Sequence, residues 1–269
     1  MRWRLLQSPP LAAAENMALD EALLERARVT AEATLRVYTW LRPTLSLGRN
    51  QAARGVYSPE AAAALGVDVV RRPTGGRAVL HAREVTYAVA APTAPGEPLG
   101  AAYARVNRVL LDGLRRLGVD AHLAEPAGRA PLPTGAPCFE TPVEGEIVVG
   151  GRKLVGSAQY REDGAFLQHG SILVDDDQAL LTRLALQPLP AVPPAATLRG
   201  ALGRVPAVAE VAEALFAAVR ALEDAGATLL GARSEGEPSA ADPGDQAELG
   251  AAIQGAVVKY RDPAWTWRR

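Results

Sequence analysis

Two segments in the first half of the chain carry apolar residues at helical spacing. Residues 13–28 and residues 101–117 are therefore predicted to form amphipathic helices, the second ending before Gly118. A shorter helix is predicted over residues 59–65, with Ser58 as its N-cap. The apolar positions of the first helix are Met17, Leu19, Leu23, Leu24 and Ala27.

Short runs with an alternating or valine-rich character predict strands between and after these helices. The predicted strands cover residues 3–6, 36–40, 44–48, 67–70, 85–89, 146–149, 153–159 and 165–173. The pair Gly150-Gly151 suits a tight hairpin between two of them. Residues 124–137 are rich in Pro, Gly and Ala and are predicted to form a loop.

After Asp175 helical patterns dominate, and they are clearest over residues 208–225 and 246–259. This order of elements predicts an α+β (mixed α/β) fold with one main sheet. We expect a single domain over residues 1–269, with a mainly helical C-terminal part from about residue 176.

The composition is that of a globular chain. Of the 269 residues, 48% are hydrophobic and 22% are charged, which excludes a disordered chain. No uninterrupted apolar run is long enough to cross a bilayer, and the N-terminus lacks the apolar segment of a signal peptide. We therefore expect a cytoplasmic protein with no membrane partner. The net charge of −1 gives no general electrostatic reason to expect a nucleic acid as partner.

Rare residue types narrow the possible chemistry. The single cysteine, Cys138, excludes an intramolecular disulfide and an all-cysteine metal site. Of the 29 Lys and Arg residues only Lys153 and Lys259 are lysine, so both stand out as candidates for a tuned ammonium group. The three histidines show no metal-ligand spacing, and no metal is expected.

A glycine-rich turn is the first candidate site. The segment from Arg72 through Thr74 to Gly75 and Gly76 places flexible backbone beside a cation, which suits an anion or a polarised carbonyl group. Two glycines between strands equally predict a plain hairpin, so this motif alone is weak evidence.

Cys138 is the second candidate, because it follows a loop rich in Pro and Gly, where function concentrates. A lone cysteine is more commonly a small buried apolar residue. A reactive thiol needs a cation or a histidine nearby. If the strands that carry Lys153 and His169 pair, both side chains converge near Cys138. Otherwise Lys153 is a surface lysine and His169 is a core histidine bonded to the backbone.

An ordered series of motifs resembles the lipoate-protein ligase A and octanoyltransferase superfamily. The motifs are residues 16–21 (NMALDE), Trp40 with Pro43 and residues 46–48 (SLG), residues 71–76 (RRPTGG), residues 151–159 (GRKLVGSAQ), residues 167–173 (LQHGSIL) and Lys259-Tyr260 before Trp265. The resemblance implies a mixed, largely antiparallel sheet flanked by helices. That fold is similar to the catalytic core of class II aminoacyl-tRNA synthetases and biotin ligases.

The segment Cys138-Phe139-Glu140-Thr141-Pro142 indicates the branch of the superfamily. It is similar to the cysteine motif of the octanoyl-[acyl-carrier-protein]:protein N-octanoyltransferases of Gram-positive type. ATP-dependent lipoate ligases usually carry an Arg-Asn-Asp type sequence at this place. Residues 143–146 depart from the aromatic-rich stretch expected after the proline, which affects the shape of the loop.

The resemblance implies an acyltransferase of lipoate biosynthesis that uses no cofactor. An octanoyl group would pass from octanoyl-acyl carrier protein to Cys138 as a thioester, and then to a lysine of a lipoyl-domain protein, with glycine-cleavage H protein as the expected acceptor. Lys153 would stabilise the thiolate and the oxyanion, and His169 would orient Lys153 or move protons. The implied substrate-binding residues are Arg72, Thr74, Gly75, Gly76, His81, Gly156, Ser157, Ala158, His169 and Gly170, and the expected walls of the acyl slot are Leu80, Tyr87, Leu154 and Ala158.

Three alternatives stay open from the sequence. An ATP-dependent lipoate-protein ligase would use the same turn and lysine to hold a lipoyl-adenylate. An octanoyl amidotransferase would move octanoyl between lipoyl domains. A catalytically inactive protein would only bind lipoyl domains.

Overall fold

The structure is a computed structural model that describes residues 1–125, 145–189, 193–230 and 243–269, with residue 230 and residues 243–248 described by their backbone alone. Cys138 and most of the predicted loop lie outside the described residues. The strands are β1 (Trp3–Gln7), β2 (Ala33–Tyr38), β3 (Thr44–Leu47), β4 (Asp68–Arg71), β5 (Val79–His81), β6 (Glu84–Pro92), β7 (His122–Leu123), β8 (Ile147–Val149), β9 (Arg152–Lys153), β10 (Val155–Glu162), β11 (Ala165–Leu173) and β12 (Thr228–Leu230). The helices are α1 (Ala13–Thr30), α2 (Pro59–Ala64), α3 (Leu99–Arg116), α4 (Leu181–Leu184), α5 (Leu198–Leu202), α6 (Val208–Leu222), α7 (Pro243–Arg261) and α8 (Pro263–Thr266).

The main sheet has six strands in the order β10-β11-β6-β2-β1-β12. Pairing is antiparallel from β10 to β2 and parallel from β2 to β12. Successive residues of a strand face opposite sides of the sheet, and both sides are covered here. Val85 and Val89 of β6 join a core with α3 and α6, whereas Ala88 and Ala90 join a second core with α1.

Two three-stranded sheets complete the described structure, in the orders β4-β3-β5 and β7-β8-β9. Leu154 links the second of these to the main sheet, because its N–H donates to Ile147 O and its carbonyl accepts from the N–H of Leu173. The first reaches the main sheet at Gly76, where an added Cβ would lie 3.7 Å from Ala158 Cβ of β10. Within the small sheet itself, Gly48 packs closely on the β4–β5 connection, because an added Cβ there would lie 2.0 Å from Gly76 O.

The fold class expected from the sequence is confirmed, with mixed sheets, six of the nine described strand pairings antiparallel, and helices on both faces of the main sheet. The three predicted helices of the first half are present, and the Ser58 hydroxyl caps α2 by accepting from the N–H of Ala61 at 3.0 Å. The hairpin at Gly150 and Gly151 is also confirmed, with φ values of 55° and 72° that suit glycine.

Two predicted elements are wrong in detail. The run 153–159 is not one strand: Lys153 pairs with Val148 in the small sheet, whereas β10 pairs with β11 in the main sheet. The prediction from apolar alternation missed this change, because a chain can pass from one sheet to another without losing its period of two. The region after Asp175 also contains β12, whose three residues are too short to show a pattern and are held by parallel pairing with β1.

Within the described part of the chain, no helix combines the length and the apolar character needed to span a bilayer.

Helix α3 offers a matched pair of glycines that tests its packing against α6. A Cβ at Gly113 would lie 2.6 Å from Leu215 Cδ2 and 3.1 Å from Leu215 Cα, whereas a Cβ at Gly100 meets nothing within 4 Å. We expect Gly113→Ala to lower the free energy of unfolding by about 1–3 kcal/mol through overpacking. Gly100→Ala should leave it unchanged or raise it by up to about 1 kcal/mol. Urea titration of both variants measures this, and equal effects would contradict the close helix contact.

Candidate functional site

A cavity with about 420 Å³ of empty space, including its open mouth, lies on the α1 side of the main sheet. Its floor is a row of small residues across three neighbouring strands, in which Gly156 of β10 pairs with Ser171 of β11 and Ser171 pairs with Thr86 of β6. Ala158 belongs to the next row and also lines the space. Large side chains at these positions would fill the space, so the small residues create the cavity.

One wall of the cavity is built on Trp40 and His81. Their rings stack with centroids 4.3 Å apart at an interplanar angle of 26°. The indole N–H of Trp40 donates to Thr86 Oγ1 at 2.8 Å, and His81 Nε2 lies 2.8 Å from Ser46 Oγ. Apolar ring faces therefore form the wall, while Trp40 Nε1 and His81 Nε2 are turned to neighbouring hydroxyl groups and His81 Nδ1 lies 3.5 Å from Glu84 Oε1.

The roof of the cavity includes the glycine-rich turn, which Arg72 holds in shape. Its guanidinium donates to Ser46 O, to Gly75 O at 2.8 Å and to Arg77 O at 2.7 Å. Gly76 has a φ of 89°, is exposed and lines the cavity, so it marks the mouth. The turn is thus a rigid cover, and Arg72 contributes both a cavity wall and the bonds that fix it.

A buried chain of polar groups runs from α1 to this turn through His169. The Nδ1 of His169 lies 2.8 Å from Asp20 Oδ2, and its Nε2 lies 2.6 Å from Thr74 Oγ1. Asp20 is fully buried and also accepts from Arg36 Nη1 at 2.7 Å and from the Tyr38 hydroxyl at 2.9 Å.

The charge of the Asp20 carboxylate determines the tautomer of His169. Burial alone would raise the pKa of Asp20, but Arg36 and His169 outweigh burial and hold that pKa below its usual value. An ionised carboxylate only accepts hydrogen bonds, so Nδ1 of His169 carries the proton and Nε2 accepts from the Thr74 hydroxyl. Burial lowers the pKa of His169, with Arg72 also lowering it and Asp20 opposing. His169 is therefore a neutral, oriented imidazole at the cavity wall.

Lys153 is held by a carboxylate and not by the histidine expected to orient it. Its ammonium donates to Glu146 Oε1 at 2.7 Å, and both side chains are buried. His169 is on β11 opposite Ala158, five residues along the chain from Lys153, and both of its ring nitrogens are engaged elsewhere. The expectation that His169 orients Lys153 is wrong, because Glu146 is the carboxylate that holds this ammonium.

The structure brings most of the predicted substrate-binding residues together. Those that line the cavity are Arg72, Gly76, His81, Gly156, Ser157, Ala158, His169 and Gly170. Thr74 and Gly75 do not line the cavity themselves, but they are hydrogen-bonded to His169 and Arg72, which do. Lys153 is not among the described residues that line the cavity. Cys138 lies outside the described part of the chain.

Of the four residues expected as walls of the slot, only Ala158 lines the cavity. Tyr87 and Leu154 face α3 and α6 in the core on the opposite side of the main sheet, and Leu80 packs in the cluster around α2 and α4. These three predictions are wrong because the side of a strand that a residue faces depends on the register of the sheet, which the sequence alone does not reveal.

Sequence reasoning missed the roles of Asp20 and Arg36, the pair beneath the cavity. A signal was present for Asp20, since it stands three residues after Met17 and three before Leu23, on the apolar face of α1. A carboxylate at such a position is buried only when it is paired. Ser171 was missed as well; its buried hydroxyl lines the cavity and has no partner among the described residues.

The buried imidazole makes folding stability depend on pH. Because the pKa of His169 is lowered below its ordinary 6.5 in the folded protein, the unfolded chain binds this proton first as the pH falls. The free energy of unfolding should therefore decrease below about pH 6.5, by up to about 1.4 kcal/mol per pH unit. Asp20 titrates far lower, since its pKa is also lowered. The groups facing His169 are Asp20, Arg72 and His81.

Denaturant titrations between pH 7.5 and 5.5 test this on two histidine variants. His169→Gln should be less stable at pH 7.5 and should lose this part of the pH dependence. His122→Gln, at a histidine whose side chain is 58% exposed, should keep the wild-type slope. Identical slopes in wild type and His169→Gln would contradict the neutral buried imidazole.

Comparison with known proteins agrees with the motifs. The family model for the lipoyl protein ligase A/B catalytic domain matches residues 12–220. Octanoyltransferase LipM of Kyrpidia tusciae is 42% identical over 284 aligned positions that span 99% of this chain and 99% of that protein. Octanoyltransferase LipM of Carboxydothermus hydrogenoformans is 44% identical over 68% of each chain.

Solved structures share the fold. The putative lipoate protein ligase Ta0514 of T. acidophilum with bound lipoic acid has a TM-score of 0.74 at 22% identity, covering 99% of this chain and all of that one. Lipoate-protein ligase A bound with ATP gives the same TM-score and identity, covering 99% of each chain. The ordered motifs, the shared fold and a match over most of the chain agree: the chain belongs to the lipoyl protein ligase A/B catalytic domain family.

Proposed function

We propose that this protein is an octanoyltransferase of lipoate biosynthesis that carries the acyl group on Cys138. The octanoyl donor is octanoyl-acyl carrier protein, and the acceptor is a lysine of a lipoyl domain, with glycine-cleavage H protein as the expected one. The observation that carries the proposal is the cavity floored by Gly156, Ser171 and Thr86, in a chain 42% identical to an octanoyltransferase over nearly its whole length.

The cavity suits a linear acyl chain. The Trp40 ring, Met17 and Val79 supply apolar surface, and each methylene buried there stabilises the complex by about 0.8 kcal/mol. An acyl chain inserted from the mouth at Gly76 leaves its carbonyl carbon at the opening.

The chemistry takes two balanced steps. The Cys138 thiolate attacks the donor thioester; a new C–S bond forms, the old C–S bond breaks, and the carrier leaves as a thiol after taking up a proton. The amine of the acceptor lysine then attacks the enzyme thioester, an amide C–N bond forms, the amine loses a proton, and Cys138 leaves as the thiolate. A thiolate serves as both nucleophile and leaving group, so no ATP is consumed.

Lys153 supports both steps as a fixed cation. Its ammonium donates to Glu146 Oε1 at 2.7 Å, and this bond fixes the position of the positive charge. Glu146 follows Cys138 by eight residues in the sequence, so a short stretch of chain connects the ion pair to the proposed nucleophile. In this role Lys153 favours the thiolate and donates to the oxyanion of each tetrahedral intermediate.

The covalent step is tested by intact mass. Wild-type protein mixed with octanoyl-acyl carrier protein and no ATP should gain the mass of one octanoyl group, and Cys138→Ser should gain none. Addition of the lipoyl-domain protein should discharge the adduct and octanoylate that acceptor. An absolute ATP requirement together with full activity in Cys138→Ser would instead establish a lipoate ligase.

The two lysines form a matched pair for testing the fixed cation. Lys153→Arg keeps a positive charge for Glu146 but replaces the compact ammonium, and we expect the adduct to form about 10²–10³ times more slowly. Lys259→Arg should react like wild type, because Lys259 pairs with Glu21 and lies over the Trp265 ring, and none of these three residues lines the cavity. Thermal unfolding confirms that both variants fold. A wild-type rate in Lys153→Arg would overturn this role.

A further inference from the structure

Four arginines from two distant parts of the chain meet beside the cavity. Arg268 donates through Nη2 to the backbone carbonyl of Arg49 at 2.6 Å. The backbone N–H of Arg54 donates to Arg269 O at 2.9 Å. Arg54 and Arg269 are exposed, and Arg49 and Arg268 are half-buried. These four residues are called the basic rim.

The basic rim adjoins the mouth of the cavity through Arg49. The backbone N–H of Arg49 donates to Thr74 O at 2.8 Å, next to the glycines of the turn. Its guanidinium lies 4.4 Å from the centre of the Tyr160 ring. Tyr160 follows Ala158 by two residues on β10, so it faces the same side of the sheet as this cavity-lining residue. Whatever approaches the mouth at Gly76 therefore meets the rim.

The charge of the basic rim is not neutralised by its surroundings. Within the described residues, none of the four arginines forms an ion pair with a side-chain carboxylate, and the nearby Glu162 contacts Tyr160. Arg71 lies fully buried behind the rim and donates to the backbone carbonyls of Gly48, Gln51 and Thr266, so it adds a further positive charge without an acidic partner.

Burial and then repulsion by neighbouring arginines lower the pKa values of Arg71 and Arg268. Burial, followed by Arg268, Arg269 and Arg72, lowers the pKa of Arg71 to about 10. The pKa of Arg268 is also lowered, by burial and then by Arg49 and Arg269. A chain with a net charge of −1 thus concentrates unpaired positive charge at one place, beside the entrance to its cavity.

The position of the basic rim suits a substrate that is carried on another protein. An acyl chain that fills the cavity has its thioester at the mouth, so the protein that carries it must rest on the surface around the mouth. Opposite charges on two such surfaces accelerate encounter and fix the orientation of the complex. Resting on the proposed function, we infer that the basic rim is the docking surface for the acyl donor, an acidic carrier protein that presents its thioester on a phosphate-bearing arm.

Adduct formation from two donors tests the inference. The variant Arg49→Glu/Arg269→Glu reverses two rim charges, and Arg108→Glu/Arg116→Glu reverses two exposed charges on α3, across the main sheet. With octanoyl-acyl carrier protein, the rim variant should lose about tenfold or more in kcat/KM, mainly through KM, while the α3 variant stays near wild type. With the small neutral thioester octanoyl-N-acetylcysteamine, all three proteins should react equally.

Added salt provides a second readout. Wild-type kcat/KM for the carrier should fall steeply as salt is raised, and the rim variant should show a flatter dependence. Equal losses with both donors would show that the rim acts on the cavity itself and would overturn the inference. Retention of full activity with the carrier, or a loss confined to transfer from Cys138 to the lipoyl domain, would overturn it as well.

A binding measurement separates this inference from the proposed function. Holo-acyl carrier protein should bind the Cys138→Ser protein, and the same protein with the two rim charges reversed should bind it about tenfold more weakly or worse. Failure of wild type to form an adduct from either donor, with this binding intact, would overturn the transferase chemistry alone. Equal binding by both proteins would overturn the docking surface alone.

Discussion

The Asp20 carboxylate is the interaction on which the rest of the site depends. It is fully buried, yet its two oxygens accept from Arg36, Tyr38 and His169, three residues on two strands of the main sheet. A buried charge is tolerated only when it is paired and hydrogen-bonded, and removal of one partner leaves the other at high cost. Helix α1 can therefore lie on the sheet in one position, and this position aligns His169 and Met17 with the cavity.

A second constraint is steric and acts on the opposite side of the cavity. Gly156, Ser171 and Thr86 form one cross-strand row, and the glycine-rich turn of the small sheet reaches the main sheet beside it, where a Cβ at Gly76 would lie 3.7 Å from Ala158 Cβ. An empty space remains because the floor is small and the roof is held by Arg72. The cavity proposed to hold the acyl chain is thus a product of small residues between two rigid layers.

The local distribution of charge in this protein differs from what its net charge indicates. Ion pairs such as Lys153–Glu146 and Arg36–Asp20 are buried and internally balanced. The unbalanced positive charge is at the mouth, in the basic rim, where a charged partner can reach it. A net charge of −1 conceals this arrangement, since opposite charges elsewhere on the surface cancel it in the sum but not in the local field.

The sequence by itself determined most helices and strands, because apolar periodicity reports burial directly. Its ordered motifs also resemble those of a known superfamily, and that resemblance, not periodicity, implied the fold core and eight of the residues that line the cavity. Only the tertiary structure decided that Lys153 belongs to a small sheet and pairs with Glu146. The same holds for Tyr87, which faces away from the cavity, and for Asp20, which contacts His169. These outcomes depend on register, on the change of sheet at Leu154 and on contacts across 149 residues of chain, between Asp20 and His169. Such pairings are set by the packing of whole layers, which no local pattern of residues encodes.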